Sequence, residues 1–287
     1  MYSSIVVGYD ESLSSKAALK EASLRVKQHG GKLCLVHAVY FDQEEFAILP
    51  EQVDKRFAFG TQVCMVAKKN LQDEFGLNGS VESYVCQGEP PEVILETARG
   101  KNADLIALGT YGRKGLRRLL MGSVTSQIIL NASCDVLVVK KDCTRCSGTY
   151  SSLLVPFDGS DSSRKALIRA GELAKKDGGE VSVLYVIPRY EEMMDFFKTE
   201  SISKSLYQEA EKIASVAKKL AADIGVPIKA VVQEGHAGDK IVEMAERLKS
   251  DLIVMGTHGW RGVNKAIMGS TADRTIAHAS CPILIVK

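Results

Sequence analysis

The chain has 287 residues, 45% of them hydrophobic and 25% charged, and a formal net charge of +2. That length suits two globular domains, each able to bury a core, and so small a net charge gives no strong pull toward nucleic acid. No apolar run reaches the roughly 18 residues that a membrane-spanning helix requires.

The first strand is expected over Ser4–Tyr9, with Asp10 where it ends. Glu11-Ser12-Leu13-Ser14-Ser15 leads into a helix that sets Ala18, Leu19, Ala22 and Val26 on one face and stops at Gly30-Gly31. Lys32–Val39 reads as a second, buried strand, and the polar and aromatic segment Tyr40–Gln52 as a loop or lid. A long helical pattern covers Val53–Phe75, and Ser80–Cys86 alternates like a third strand. Proline in the first turn opens a helix at Glu92–Arg99. Asp104–Leu108 is the fourth strand; a glycine loop, a helix over Val124–Asn131 and a fifth strand at Asp135–Lys140 follow. An order of βαβαβαβαβ calls for a parallel sheet with helices on both faces. Ligands of such sheets bind beyond the carboxyl ends of the strands, where the strand order reverses.

The plan then repeats. Leu105–Ser123 reads LIALGTYGRKGLRRLLMGS and Leu252–Ser270 reads LIVMGTHGWRGVNKAIMGS. Gly109, Gly112 and Gly122 precede Gly256, Gly259 and Gly269 by 147 residues in every case. IVVGYDES at Ile5 corresponds to LLVPFDGS at Leu153, and CDVLVVK at Cys134 to CPILIVK at Cys281. This is a tandem duplication, read as domains at 1–142 and 152–287 with a short polar linker over 143–151. The terminal strand of each half is apolar, and pairing the two edge to edge would make a pseudo-two-fold pseudodimer.

Glycine at the end of a buried strand and again at the start of a helix lets the backbone approach something bulky and anionic. The helix N-terminus supplies N–H groups and the positive end of its dipole. A phosphate chain fits that description. The bland alternatives are loop punctuation for the glycines, a turn or cap for Asp10 and Asp158, and a plain N-cap for Ser123 and Ser270. Punctuation alone does not account for glycines held in register over 147 residues.

The pattern G-x-x-G, nine residues, then G-S, with an aspartate closing the first strand, resembles the universal stress protein family in its tandem form. Both halves resemble it over nearly their whole length. The resemblance implies two tandem five-stranded parallel α/β sandwich domains of Rossmann-like, adenine-nucleotide-binding type. Asp10 and Asp158 would contact the adenine or ribose side, and Ala38 and Val186 would pack beside the base. Gly109, Gly112, Gly122, Gly256, Gly259 and Gly269 would wrap ribose and phosphates. Ser123 and Ser270 would bond phosphate, with Val124 and Thr271 next to them, and His258, matching Tyr111, would border the ligand.

The resulting expectation is a cytoplasmic stress-response protein that binds ATP, or ADP or AMP, as a regulatory ligand. Mg²⁺ would be held with help from Asp10 or Asp158. A regulatory protein partner and a homodimer of the tandem chain complete the picture, with no nucleic acid and no membrane. No catalytic residue and no dedicated metal site are assigned. The chain has no G-x-x-x-x-G-K-[ST] loop and offers no nucleophile–base pair at the site. The rivals are a slow Mg-dependent ATPase or autokinase, a nucleotide-independent scaffold and, with no feature in its favour, a flavin-binding relative.

Other features have competing readings. Arg113, Lys114, Arg117 and Arg118 could hold phosphates or form a solvated loop, and Trp260 could shield a nucleotide or pack at an interface. Phe41, Phe46, Met193, Met194, Phe196 and Phe197 would suit lids or a partner surface. The seven cysteines, with Cys34, Cys64, Cys134 and Cys281 in apolar runs, read as buried small hydrophobes in a reducing compartment. Since the chain begins in a strand, no signal peptide is expected. Cys143-x-x-Cys146 reads as exposed linker thiols in preference to half a zinc site or a redox pair.

Overall fold

A computed structural model of the protein describes residues 2–41, 50–110, 122–141, 143, 145–188, 200–257 and 269–287. The chain divides into two compact units, Met1–Thr149 and Tyr150–Lys287.

The first unit runs β1 (Ser4–Gly8), α1 (Leu13–His29), β2 (Lys32–Val39), α2 (Pro50–Phe75), β3 (Val81–Gln87), α3 (Pro90–Gly100), β4 (Leu105–Gly109), α4 (Ser123–Asn131) and β5 (Asp135–Val139). The second runs β6 (Ser152–Pro156), α5 (Asp161–Asp177), β7 (Glu180–Pro188), α6 (Glu200–Asp223), β8 (Ile228–Gly235), α7 (Ala237–Arg247), β9 (Leu252–Gly256), α8 (Ser270–His278) and β10 (Ile283–Val286). In the first unit the strands lie in the order β3-β2-β1-β4-β5, and in the second β8-β7-β6-β9-β10, all parallel. Val7 stands in register with Leu35 on one side and Ala107 on the other.

The central strands are apolar on both faces because helices cover both. Ile5, Val6, Val7, Leu33, Leu35, Leu105 and Ile106 are all buried, as are Leu153, Leu154, Val155, Leu252, Ile253 and Val254. The face of α1 expected from periodicity, Ala18, Leu19, Ala22 and Val26, is buried. So too are Glu21 and Arg25, charged residues that neighbour this face.

Their burial has a partner far along the chain. The Gly148 N–H donates to both carboxylate oxygens of Glu21, at 3.2 Å each, and Arg25 donates to the Gly148 carbonyl at 3.1 Å. Gly148 has φ +72°, and a Cβ there would stand 2.5 Å from the Leu24 backbone. The segment after β5 is thus seated on α1 at a position only glycine fills comfortably.

Two cysteine readings change. Cys143 and Cys146 are half-buried and joined by a disulfide, with Cα atoms 6.0 Å apart, the separation a disulfide accommodates. They are not exposed thiols. Cys34, Cys64 and Cys281 are buried as expected, but Cys134, just before β5, is half-buried. No described helix is long and apolar enough to cross a membrane.

Each unit has, within itself, the same fastening at the amino ends of its strands. Asp104 Oδ2 accepts from the Ser3 N–H at 2.6 Å and the Ser3 hydroxyl at 2.8 Å, while Oδ1 accepts from the Ser4 N–H at 3.1 Å. Asp251 repeats this with the Ser151 N–H at 2.8 Å, the Ser151 hydroxyl at 2.7 Å and the Ser152 N–H at 3.1 Å. Each aspartate ties the start of one central strand to the start of its neighbour.

Candidate functional site

In each unit the chain adds strands on one side of its first strand, then crosses to the other side for the fourth. The switch point lies between β1 and β4, and between β6 and β9. Asp10 follows β1 and Gly109 ends β4, so both stand at the carboxyl edge beside that switch; Asp158 and Gly256 do the same in the second unit.

The turn after β1 is built by Asp10 itself. Tyr9 N donates to the Val36 carbonyl at 2.9 Å, extending the strand pairing by one residue. Asp10 Oδ1 then accepts from the Ser12 N–H at 3.0 Å, and Ser12 caps α1 by accepting from the Ser15 N–H at 3.2 Å. Asp158 accepts from the Ser160 N–H at 3.0 Å and the Ser160 hydroxyl at 2.6 Å, and Ser160 caps α5 through the Ser163 N–H at 3.3 Å. One oxygen of each carboxylate therefore belongs to an Asx turn. Both aspartates are half-buried at the edge. The residue between aspartate and cap is left-handed in both units: Glu11 at φ +64° and Gly159 at φ +84°.

Gly109 and Gly256 have a packing reason of their own. A Cβ on Gly109 would lie 2.6 Å from the Ser14 carbonyl carbon and hydroxyl, and one on Gly256 would lie 2.4 Å from Ser162 Cβ. Only glycine lets the first turn of α1 or α5 press onto the end of the neighbouring strand. The sequence carried a signal for this: S-x-S-S recurs as Ser12, Ser14, Ser15 and Ser160, Ser162, Ser163.

The loops after β4 and β9 leave and return at one point. Gly122 N donates to the Thr110 carbonyl at 3.0 Å, Gly269 N donates to the Thr257 carbonyl at 3.4 Å, and the Thr125 hydroxyl donates to the Gly109 carbonyl at 2.8 Å. Gly122 and Gly269 are the N-caps of α4 and α8, with extended backbones at φ −58° and −65°. Neither helix has a side-chain cap, in contrast to the serine caps of α1 and α5. Ser123 and Ser270, the first residues of these helices, are exposed, with Val124 and Thr271 half-buried behind them. A helix start of this kind presents first-turn N–H groups and the positive dipole end outward, where an anion can take them.

Ala38 and Val186 sit half-buried near the carboxyl ends of β2 and β7, beside Cys86 and Gln233 in register. The carboxyl edge of the first unit thus carries Asp10, Ala38, Gly109, Gly122, Ser123 and Val124, and that of the second Asp158, Val186, Gly256, Gly269, Ser270 and Thr271. Gly112, His258, Gly259, the Arg113–Arg118 cluster and Trp260 lie outside the described residues, as do residues 42–49 and, with Met193, Met194, Phe196 and Phe197, residues 189–199. Among the described residues no group of three or more His, Cys, Asp or Glu is arranged to hold a metal ion.

Comparison with known proteins agrees with the internal repeat. The model of the universal stress protein family matches residues 1–140 and again 149–287. A universal stress protein of Mycobacterium tuberculosis is 27% identical over 301 aligned positions, covering 99% of this chain and 96% of the relative. One from Methanocaldococcus jannaschii is 39% identical over 144 residues, covering 48% of this chain and 82% of its own. The crystal structure of a universal stress protein from Archaeoglobus fulgidus superposes with a TM-score of 0.74 at 19% identity, covering 99% of this chain and 96% of that one, a likeness of fold. The chain belongs to the universal stress protein family and carries two copies of its domain in tandem.

Proposed function

We propose that the chain binds an adenine nucleotide, ATP or its ADP and AMP forms, at the carboxyl edge of its units. The nucleotide acts as a regulatory ligand in a cytoplasmic stress response. Its occupancy favours one conformation over another and so changes which protein partner the chain engages. The observation that carries this reading is the pair of helix starts at Gly122-Ser123 and Gly269-Ser270, which lack side-chain caps beside an aspartate-built turn. Phosphate oxygens would take the N–H groups of Ser123 and Val124, or of Ser270 and Thr271, together with the serine hydroxyls. Asp10 and Asp158 would face the ribose side or share a Mg²⁺ ion with the phosphates. The nucleotide is read as a ligand and not as a substrate, since the sequence places no P-loop lysine on the β and γ phosphates.

The test is calorimetric titration of nucleotide-stripped protein with ATP and Mg²⁺, repeated on Gly122→Asp and Gly269→Asp. Both glycines have ordinary extended backbones that aspartate adopts, and aspartate is itself a good N-cap. The new carboxylate should occupy the helix start and repel phosphate while leaving stability within a few tenths of a kcal/mol. Binding lost from either variant with unfolding unchanged supports the reading and counts the working sites. Wild-type protein that binds no nucleotide overturns it.

A further inference from the structure

We propose that Cys143 and Cys146 form a reversible thiol–disulfide site in the segment that follows β5 at the end of the first unit, exchanging with a small dithiol or its disulfide. Three observations meet there. The disulfide is half-buried and so not sealed in the core, and disulfides with access to solvent are more open to exchange than fully buried ones. It closes a loop of four residues in a segment already fixed on both sides. Upstream, Cys143 N donates to the Lys140 carbonyl at 3.1 Å, directly after β5. Downstream, Glu21 and Arg25 hold Gly148. The contact of Gly148 with Glu21 and Arg25 is made outside the disulfide loop, so opening the disulfide leaves it in place.

The third observation is chemical contrast among the cysteines. Burial pushes the thiols of Cys34 and Cys64 up to about 11, so they stay protonated and unreactive near neutral pH. Cys143 and Cys146 lie outside that buried core, paired with each other and only half-buried.

The exchange balances as follows. A thiolate of the dithiol attacks one sulfur of the Cys143–Cys146 bond, forming a mixed disulfide and releasing the other cysteine as a thiolate. The second thiol of the reductant then attacks the reductant's own sulfur in the mixed disulfide and expels the bound cysteine as a thiolate, leaving two reduced cysteines and an oxidised reductant. Two electrons and two protons pass to the protein, and a disulfide of the same class reverses the step.

The experiment equilibrates the folded full-length chain in graded mixtures of reduced and oxidised dithiothreitol. It then blocks thiols by alkylation and locates the label by mass spectrometry of peptides. The expected result is that Cys143 and Cys146 gain and lose label together, with one midpoint, and reoxidise fully when the ratio is reversed. Cys143→Ser should remove the transition and leave the remaining cysteine, Cys146, labelled throughout. Far-ultraviolet circular dichroism should not change across the titration. Three results overturn the proposal: a pair that stays oxidised in excess reductant until the protein unfolds, a pair that never closes under oxidant, or labelling at the two positions with separate midpoints.

Discussion

Ser14 presses so closely on Gly109 that a methyl group at 109 would lie 2.6 Å from the serine carbonyl carbon. The first glycine of the repeated motif is thus a packing element before it is anything else. Gly109→Ala and Gly256→Ala should each cost roughly 1–3 kcal/mol, the usual price of overpacking a tight contact. Urea unfolding would measure this. A fall in nucleotide affinity in these variants would report a displaced α1 or α5, which is why Gly122 and Gly269 are the better probes of the site.

The left-handed residue after each aspartate makes a second, asymmetric prediction. Gly159 fills that position comfortably in the second unit, whereas Glu11 holds it with a side chain in the first. A left-handed backbone disfavours side-chain-bearing residues by about 1–2 kcal/mol. Gly159→Ala should therefore lower stability by about 1 kcal/mol, and Glu11→Gly should leave it unchanged or raise it slightly, the gain being offset by the greater freedom of glycine in the unfolded chain. Thermal unfolding of the two variants side by side checks the sign.

Removing the aspartates at the opposite edge should affect stability and not ligand binding. Asp104→Ala and Asp251→Ala each leave three donors at the start of a central strand without their acceptor. The loss should be roughly 1–3 kcal/mol, the range for leaving donors without their charged acceptor, with Asp251 the costlier because it is the more buried. Nucleotide titration of the folded variants should match wild type, since both positions lie at the amino ends of the strands.

The buried thiols give an alkaline limit. Cys34 and Cys64 have folded-state values near 11, above the ordinary value of 9.0, chiefly because burial penalises the thiolate. Between those values the unfolded chain releases protons that the folded chain keeps. The stability they contribute is therefore complete below about pH 9 and falls as the pH rises toward 11. Unfolding followed from pH 8 to pH 11 should show that decline. Cys64→Ala should start lower, because it leaves a cavity, but decline less steeply.

Much of this architecture is legible in the residues. Buried strands announce themselves as continuous apolar runs such as LIALG and LIVMG, and two copies in register expose the repeat. The helix expected at Val124 starts one residue earlier, and the caps fall on Gly122 and Gly269 instead of Ser123 and Ser270. What stays hidden depends on contacts between residues distant in the chain. Nothing in the spacing of Glu21 and Arg25 points to Gly148, more than a hundred positions away, which is found against them. The role of Ser14 becomes visible only when Gly109 is placed beside it. The turn-building role of Asp10 was anticipated as the bland reading of that residue, and the bond to Ser12 fits it.

The seat of Gly148 on α1 also decides where this polypeptide can be divided. Spacing and polarity draw the eye to the cysteines, and a cut at residue 142 looks natural. It would take Gly148 away from the buried carboxylate of Glu21 and the guanidinium of Arg25, stripping a solvent-shielded pair of its backbone partner. Severing between Thr149 and Tyr150 keeps that contact with the amino-terminal half. It also leaves Tyr150, whose N–H donates to Asp177 at 2.9 Å, with the carboxyl-terminal half. For anyone preparing the halves as separate polypeptides, the seam runs there.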